Sequence, residues 1–423
     1  MPCVLLLGAR APVAADIARS LAAAGARVVA ADAWRWPPVR WSRAVARYAR
    51  LPAPRSDPAA FAAAVADIAR SEGVDAIVPL CEEGYWLAAL VAAHPDLLPP
   101  GCRLVAPAAA SVARLHDKAA FVATAERLGL AAPSTRTLAS PADVDAVLRA
   151  SPAEDLVFKP VWSRFATATL LGAPPDVVRR HVRPTQRAPW VAQARVVGRG
   201  LCTYSVAVDG EVVAHGAYRP DIVYRRAAVV FEAVAHPAAE DWVRRLCAAE
   251  RLTGQVSFDF IEGVAAPGDD APRLYAIECN PRATSGAHLW HGGAALGEAL
   301  LAAAGLVRSP RDVVRPIPDQ AAAIKAAVAL AAPRWWRDPA LRRIAVAAVK
   351  QGHDVFRRGG DVGPARGQPL AVAECIGRAI RSGVGITDAM TVDMRWDGDE
   401  VGAFVDLGDG GGGGGGAQSV RAA

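Results

Sequence analysis

The chain has 423 residues, more than one hydrophobic core usually organises, so two or three domains are expected. Just over half of the residues are hydrophobic, but much of that is alanine, and no stretch reaches the roughly 20 apolar residues that span a bilayer, so a soluble protein without a membrane partner is expected. The net charge of +6 comes from arginines spread along the chain, which argues against a nucleic-acid binder and leaves room for an anionic substrate.

Residues 4–7, 13–24, 27–31, 61–71 and 76–80 alternate strand-like with helix-like apolar runs, the rhythm of a parallel α/β sheet. The opening run MPCVLLLGAR has no basic region ahead of it and reads as a first strand, not a secretory signal. Gly8 after the first strand and Asp32 at the end of the second suggest a dinucleotide fold. The segment Gly8-Ala9-Arg10-Ala11-Pro12 nevertheless lacks the second and third glycines that bring backbone against a pyrophosphate. An NAD-dependent oxidoreductase built on this Rossmann-like domain is thus an alternative reading only. Glu82 and Glu83 follow the strand 76–80, where open α/β sheets bind ligands. They suit either an acceptor site or the polar start of a helix.

Asp117 reads as the N-cap of a helix over 118–129, closed by Gly129. Short β-type runs follow at 156–159, 190–197, 202–208 and 211–214, with Asp209-Gly210 as a two-residue hairpin turn. A helix over 238–252 then leads to paired strands at 256–261 and 274–279. Beyond about residue 304 the pattern weakens to Arg- and Pro-rich linkers, with helices near 321–330, 339–350 and 370–382 and a glycine tail at 410–416.

Seven scattered cysteines, odd in number and without a C-x-x-C pair, argue against a disulfide framework or a zinc site and fit a cytoplasmic location. The chain is starved of lysine and asparagine, holding only Lys118, Lys159, Lys325 and Lys350, and Asn280 alone. A carboxamide kept against that bias marks a position that needs one.

Asn280 sits where the chemistry concentrates. Glu278 and Asn280 are two apart on a strand and project from one face, and Asp259 can join them from the preceding strand. Two carboxylates and an amide oxygen suit Mg²⁺, which completes its octahedron with phosphates and water.

These residues carry a resemblance to the ATP-grasp superfamily over about residues 1–305, strongest in the E-x-N-P-R motif of Glu278, Asn280, Pro281 and Arg282. It is closest to carbamoyl-phosphate-synthetase-like members of unassigned substrate. The resemblance implies magnesium, or Mn²⁺, on Asp259, Glu278 and Asn280, with Arg282 facing the activated substrate as catalytic residue. Lys118, in the Asp117-Lys118 pair, and Lys159, in Lys159-Pro160, match lysines that contact nucleotide phosphates. Residues 190–198 resemble the hinge strand where adenine binds, with Gln193 and the backbone at Ala194 and Val196 reading the ring. After Lys159 the family has a glycine-rich loop over the phosphates; here Ser163, Arg164 and Thr167 would supply side-chain contacts instead. Gly200 stands where many members have an acid for the ribose hydroxyls.

The fold class this implies is mixed α/β and α+β: an N-terminal parallel α/β (pre-ATP-grasp) domain over 1–107, a split ATP-grasp domain over 108–305, a small C-terminal α+β region over 306–408 and a tail over 409–423. The activity implied is an ATP-dependent carboxylate ligase working through an acyl phosphate, with a small-molecule carboxylate and an amine-type acceptor as partners. A homodimer is compatible with the family. A nucleotide-binding pseudoenzyme is the second alternative.

Overall fold

The structure is a computed structural model describing residues 1–164, 168–224, 227–265, 272–317 and 321–398. At the N-terminus lies a five-stranded sheet in the order Val45–Arg50, Arg27–Asp32, Cys3–Leu7, Ala76–Pro79, Arg103–Leu104, with every pair parallel. Cys3–Leu7 is buried along its whole length, as a strand covered by helices on both faces must be. Val4 and Leu6 pack toward the helix Val13–Ala23, while Leu5 and Leu7 pack toward Pro58–Glu72 and Glu83–Ala93.

A four-stranded antiparallel sheet follows, ordered Thr135–Leu138, Trp190–Ala194, Leu156–Pro160, Leu170–Leu171. Phe158, Ala192 and Leu138 turn to the helices Pro141–Ala150 and Pro175–His181, so Lys159 and Gln193 point from the opposite face. The third sheet has seven strands, ordered Arg273–Asn280, Gly254–Ala265, Val196–Val208, Glu211–Tyr218, Val230–Val234, Ala321–Ala323, His353–Asp354. Lys118–Arg127 and Pro237–Ala249 cover one of its faces. The other face shares a core with the N-terminal sheet through Ala294–Ala303 and Val13–Ala23. Those two helices approach so closely that a Cβ on Gly297 would lie 2.1 Å from the Ser20 carbonyl oxygen.

Some readings change. The helix expected near 321–330 begins as the strand Ala321–Ala323, which pairs with Val230–Val234 before Lys325–Leu330 turns helical. Alanine has little preference for a strand, so only the tertiary pairing puts it there. The apolar run at 190–197 breaks at Arg195 into two strands belonging to different sheets. The last long helix starts at Gly363 rather than near 370 and carries Pro369 inside it. Asp209 and Gly210, at φ of 46° and 91°, make the expected tight hairpin turn. The tail at 409–423 lies outside the described residues.

Candidate active site

The acids lie on the strands Gly254–Ala265 and Arg273–Asn280, where Asp259 faces Glu278 and Ser257 faces Asn280 in the antiparallel register. Phe258, Phe260, Ala276 and Cys279 turn to the helix-covered core, which leaves Asp259, Glu278 and Asn280 together on the other face. Burial, reinforced by the Glu278 charge, pushes the Asp259 carboxyl up to about 6. The Asn280 Oδ1 accepts a 2.9 Å hydrogen bond from Arg282 Nη2, and Arg282 Nη1 donates to the Ala283 carbonyl at 3.0 Å. The Arg282 Nε is buried without a partner among the described residues.

No group of three or more His, Cys, Asp or Glu with metal-holding geometry occurs among the described residues. The set here is two acids and one amide, and its chemistry fits a hard divalent cation. Two facing carboxylates repel each other, a cation between them removes that repulsion, and the Asn280 oxygen keeps a second lone pair beyond its bond to Arg282.

Lys118 opens the helix Lys118–Arg127, whose cap Asp117 accepts from Ala119 N at 2.8 Å and Ala120 N at 2.9 Å. Its Nζ lies 3.5 Å from Glu278, and it donates to the carbonyls of Ser163 at 2.9 Å and Val161 at 3.4 Å. Lys159 donates to Gln193 Oε1 at 2.8 Å, and Gln193 Nε2 donates to Thr135 Oγ1 at 3.0 Å. Burial brings the Lys159 ammonium down to about 8 against the opposing pull of Glu278 and Asp259. Ala194 ends the smaller sheet, its N–H bonded to Ser134 O at 2.8 Å, and Val196 begins the larger one opposite Ala265. Arg195 is therefore the single residue that links the two sheets. Gly200 lies within the long strand opposite Ile261.

Residues 161–164, after Lys159, lie against Lys118 through the Val161 and Ser163 carbonyls. Ser163 is buried, and the Arg164 guanidinium bonds to Glu82, to Asp397 at 2.9 Å and to the Trp396 carbonyl. Thr167 lies outside the described residues. Glu82 also accepts from Trp396 N at 3.0 Å, so both of its oxygens are engaged. Glu83 accepts from Leu80 N at 3.1 Å and Cys81 N at 2.9 Å, the polar helix start that was the other reading of this pair.

The strand ends of the N-terminal sheet are closed to a dinucleotide in the same way. Asp32 accepts from Arg10 N and Arg10 Nε, both at 2.8 Å, and from Trp34 N at 2.9 Å, which occupies the acid that a ribose would need. The Glu83 carboxyl sits against Gly8, 2.6 Å from where a Cβ would be, and fills the space through which a pyrophosphate would approach.

Motif reasoning missed a four-ring cluster beside this site. His116 lies 5.0 Å from Tyr85, 5.5 Å from Trp162 and 6.3 Å from Trp396, measured between ring centroids. Burial, with the nearby Lys118, Arg164 and Arg282 charges, holds the imidazole well below its usual range. No local sequence pattern joins four rings spread over residues 85–396. A cavity of about 550 Å³ lined by His215, His236, Glu240, Arg244 and Arg315 opens on the helix-covered face of the large sheet, away from the acids and lysines.

No protein-family sequence model matches the chain, and no curated protein matches it in sequence. Solved structures do. N5-carboxyaminoimidazole synthetase from Staphylococcus aureus shares 12% identity at a TM-score of 0.58, over 80% of this chain and 86% of that one. Biotin carboxylase from Campylobacter jejuni shares 14% at 0.57, over 74% and 73%. L-amino acid ligase from Bacillus licheniformis shares 18% at 0.56, over 75% and 79%. The Staphylococcus enzyme has also been solved with ADP. These likenesses establish the ATP-grasp fold, with a parallel α/β domain ahead of it.

Proposed function

We propose that this chain is an ATP-dependent ligase that activates a carboxylate as an acyl phosphate and transfers the acyl group to an amine. The observation that carries the reading is the meeting of Lys118 and Glu278 at 3.5 Å, which brings the lysine side of the cleft against the face that holds Asp259, Asn280 and Arg282. In this reading adenine lies at the hinge, against Gln193 and the backbone of Ala194 and Val196. Lys118, Lys159 and the segment around Ser163 face the phosphates.

Asp259, Glu278 and Asn280 would hold Mg²⁺, with Mn²⁺ as a substitute, and the cation would neutralise phosphate charge during transfer. A carboxylate oxygen bonds to the γ-phosphorus as the bond to ADP breaks. Arg282 is fixed by its bonds to Asn280 and Ala283 and presents positive charge to the acyl phosphate without needing to reorganise. The amine nitrogen then bonds to the acyl carbon, inorganic phosphate leaves and the amine proton passes to solvent.

A reducing compartment such as the cytoplasm belongs to this reading, on the odd number of scattered cysteines without a C-x-x-C pair. No helix among the described residues is long and apolar enough to cross a membrane.

A screen of carboxylates and amines for ADP release tests the reading. ADP release that requires Mg²⁺ and one carboxylate, with amide formed when an amine is added, is expected. ATP binding with no release on any pair would favour the pseudoenzyme alternative.

A further inference from the structure

The segment at residues 390–398 lies more than 100 residues beyond the Asn280–Arg282 motif and returns to the reaction centre. Asp393 pairs with Arg10 at 2.6 Å and with Arg378 at 3.1 Å, and the Met394 carbonyl accepts from Trp86 Nε1 at 3.0 Å. The Arg10 and Trp86 contacts tie the segment to the N-terminal domain, and Arg378 ties it to the helix Gly363–Ser382. Two residues further on it reaches the phosphate segment: Trp396 accepts from Arg164 through its carbonyl and donates to Glu82 through its N–H, and Asp397 accepts from Arg164. The Trp396 ring lies 5.5 Å from Trp162, edge to face, so the segment touches residues 161–164 through both a side-chain ring and hydrogen bonds.

On its other side the same stretch is held by Lys118, through the carbonyls of Val161 and Ser163. Residues 161–164 are therefore pinned between a nucleotide-side lysine and a pair of acids, Glu82 and Asp397, that share Arg164. The Arg164 side chain is only 6% exposed, and Glu82 beside it only 4%. A guanidinium so enclosed by carboxylates is an anchor, because turning it to a phosphate would leave Glu82 buried without its counter-charge.

Resting on the nucleotide reading of the site, we infer that Glu82, Asp397 and Trp396 are positioning residues which, through Arg164, hold the phosphate segment in its binding shape. A glycine-rich loop pays in lost freedom when it orders around phosphates; a segment ordered in advance loses less. The C-terminal segment is thus part of the nucleotide site without touching the nucleotide. Asp397 is the residue to test, since it is one-third exposed and also meets Arg55 at 2.9 Å, so its loss does not open the core.

The experiment is calorimetric titration of the full chain with a non-hydrolysable ATP analogue and Mg²⁺, alongside thermal melts. Asp397→Asn is expected to weaken analogue binding roughly tenfold, the scale typical of removing a supporting group behind a binding residue. Its melting temperature should stay near the parent's, and Arg55→Ala should leave binding unchanged. Arg164→Ala should weaken binding similarly, and the Arg164→Ala/Asp397→Asn pair should be no weaker than Arg164→Ala alone. Parent-like affinity in Asp397→Asn, or additive losses in the pair, overturns the inference while leaving the nucleotide reading standing. Absence of analogue binding in the parent chain overturns both. If Trp396→Ala folds, it should weaken binding and diminish the near-ultraviolet circular dichroism of the Trp162–Trp396 contact. Loss of that signal with unchanged affinity also contradicts the inference.

Discussion

Asn280 holds Arg282 in place through its Oδ1 and shares a strand face with Glu278. Replacing it with alanine removes the oxygen, so binding of ATP should require more Mg²⁺ and turnover should fall by about 10²-fold. Asn280→Asp keeps an acceptor for Arg282 but adds a third acid beside Asp259 and Glu278. Turnover should fall there without a raised magnesium requirement. Titrating ATP at several Mg²⁺ concentrations separates the two variants, and parent-like magnesium dependence in Asn280→Ala would remove Asn280 from the metal site. Glu83 offers a second test. Burial lifts its carboxyl from 4.5 to about 7, outweighing the N–H bonds that favour its charged form. Between those values the native state keeps a proton that the unfolded chain has released. Its stabilising contribution is complete below about 4.5 and is lost as pH rises to about 7, a swing on the order of 3 kcal/mol at most. Glu83→Gln stays neutral and can still accept from Leu80 and Cys81, so denaturant melts at pH 5 and pH 8 should differ less in the variant than in the parent. An equal pH slope in both would assign the effect elsewhere.

At the scale of the element, the helix Lys118–Arg127 shows how a cap serves chemistry. Asp117 satisfies two N–H groups of the first turn, and the first residue of that turn is the lysine that meets Glu278 and Ser163. Asp117→Ala should cost about 1 kcal/mol in urea melts and also weaken ATP binding, while Asp117→Ser should recover most of both. If stability falls with affinity unchanged, the cap does not position Lys118. Asp117 was legible in the sequence because capping is local, and so were Glu278, Asn280 and Arg282, which stand within five residues of one another on one strand and its exit. Lys159 was legible for the same reason. Its bond to Gln193 was not, because the register of two strands 34 residues apart creates it. The network of Glu82, Arg164 and Asp397 depends on chain separations of 82 and 233 residues and leaves no local pattern at all. The strand Ala321–Ala323 was hidden differently, since three alanines beside a helical run carry no strand signal and only pairing with Val230–Val234 and His353–Asp354 selects them.

At the scale of the whole molecule, residues beyond 306 are built into both ends of the structure. Two of their strands extend the large sheet, the helix Gly363–Ser382 packs Ala371 and Cys375 against Trp34, and residues 390–398 return to Arg164 and Trp162. The lysines, acids and Arg282 sit where the smaller sheet meets the large one, at the junction linked through Arg195. The central claim is that this junction binds ATP together with a divalent cation. The most direct test is calorimetric titration of the parent chain with ATP, with and without Mg²⁺, and with NAD in parallel. One ATP site that tightens markedly with Mg²⁺, and no heat from NAD, is the predicted result; NAD binding with no response to MgATP would contradict the account.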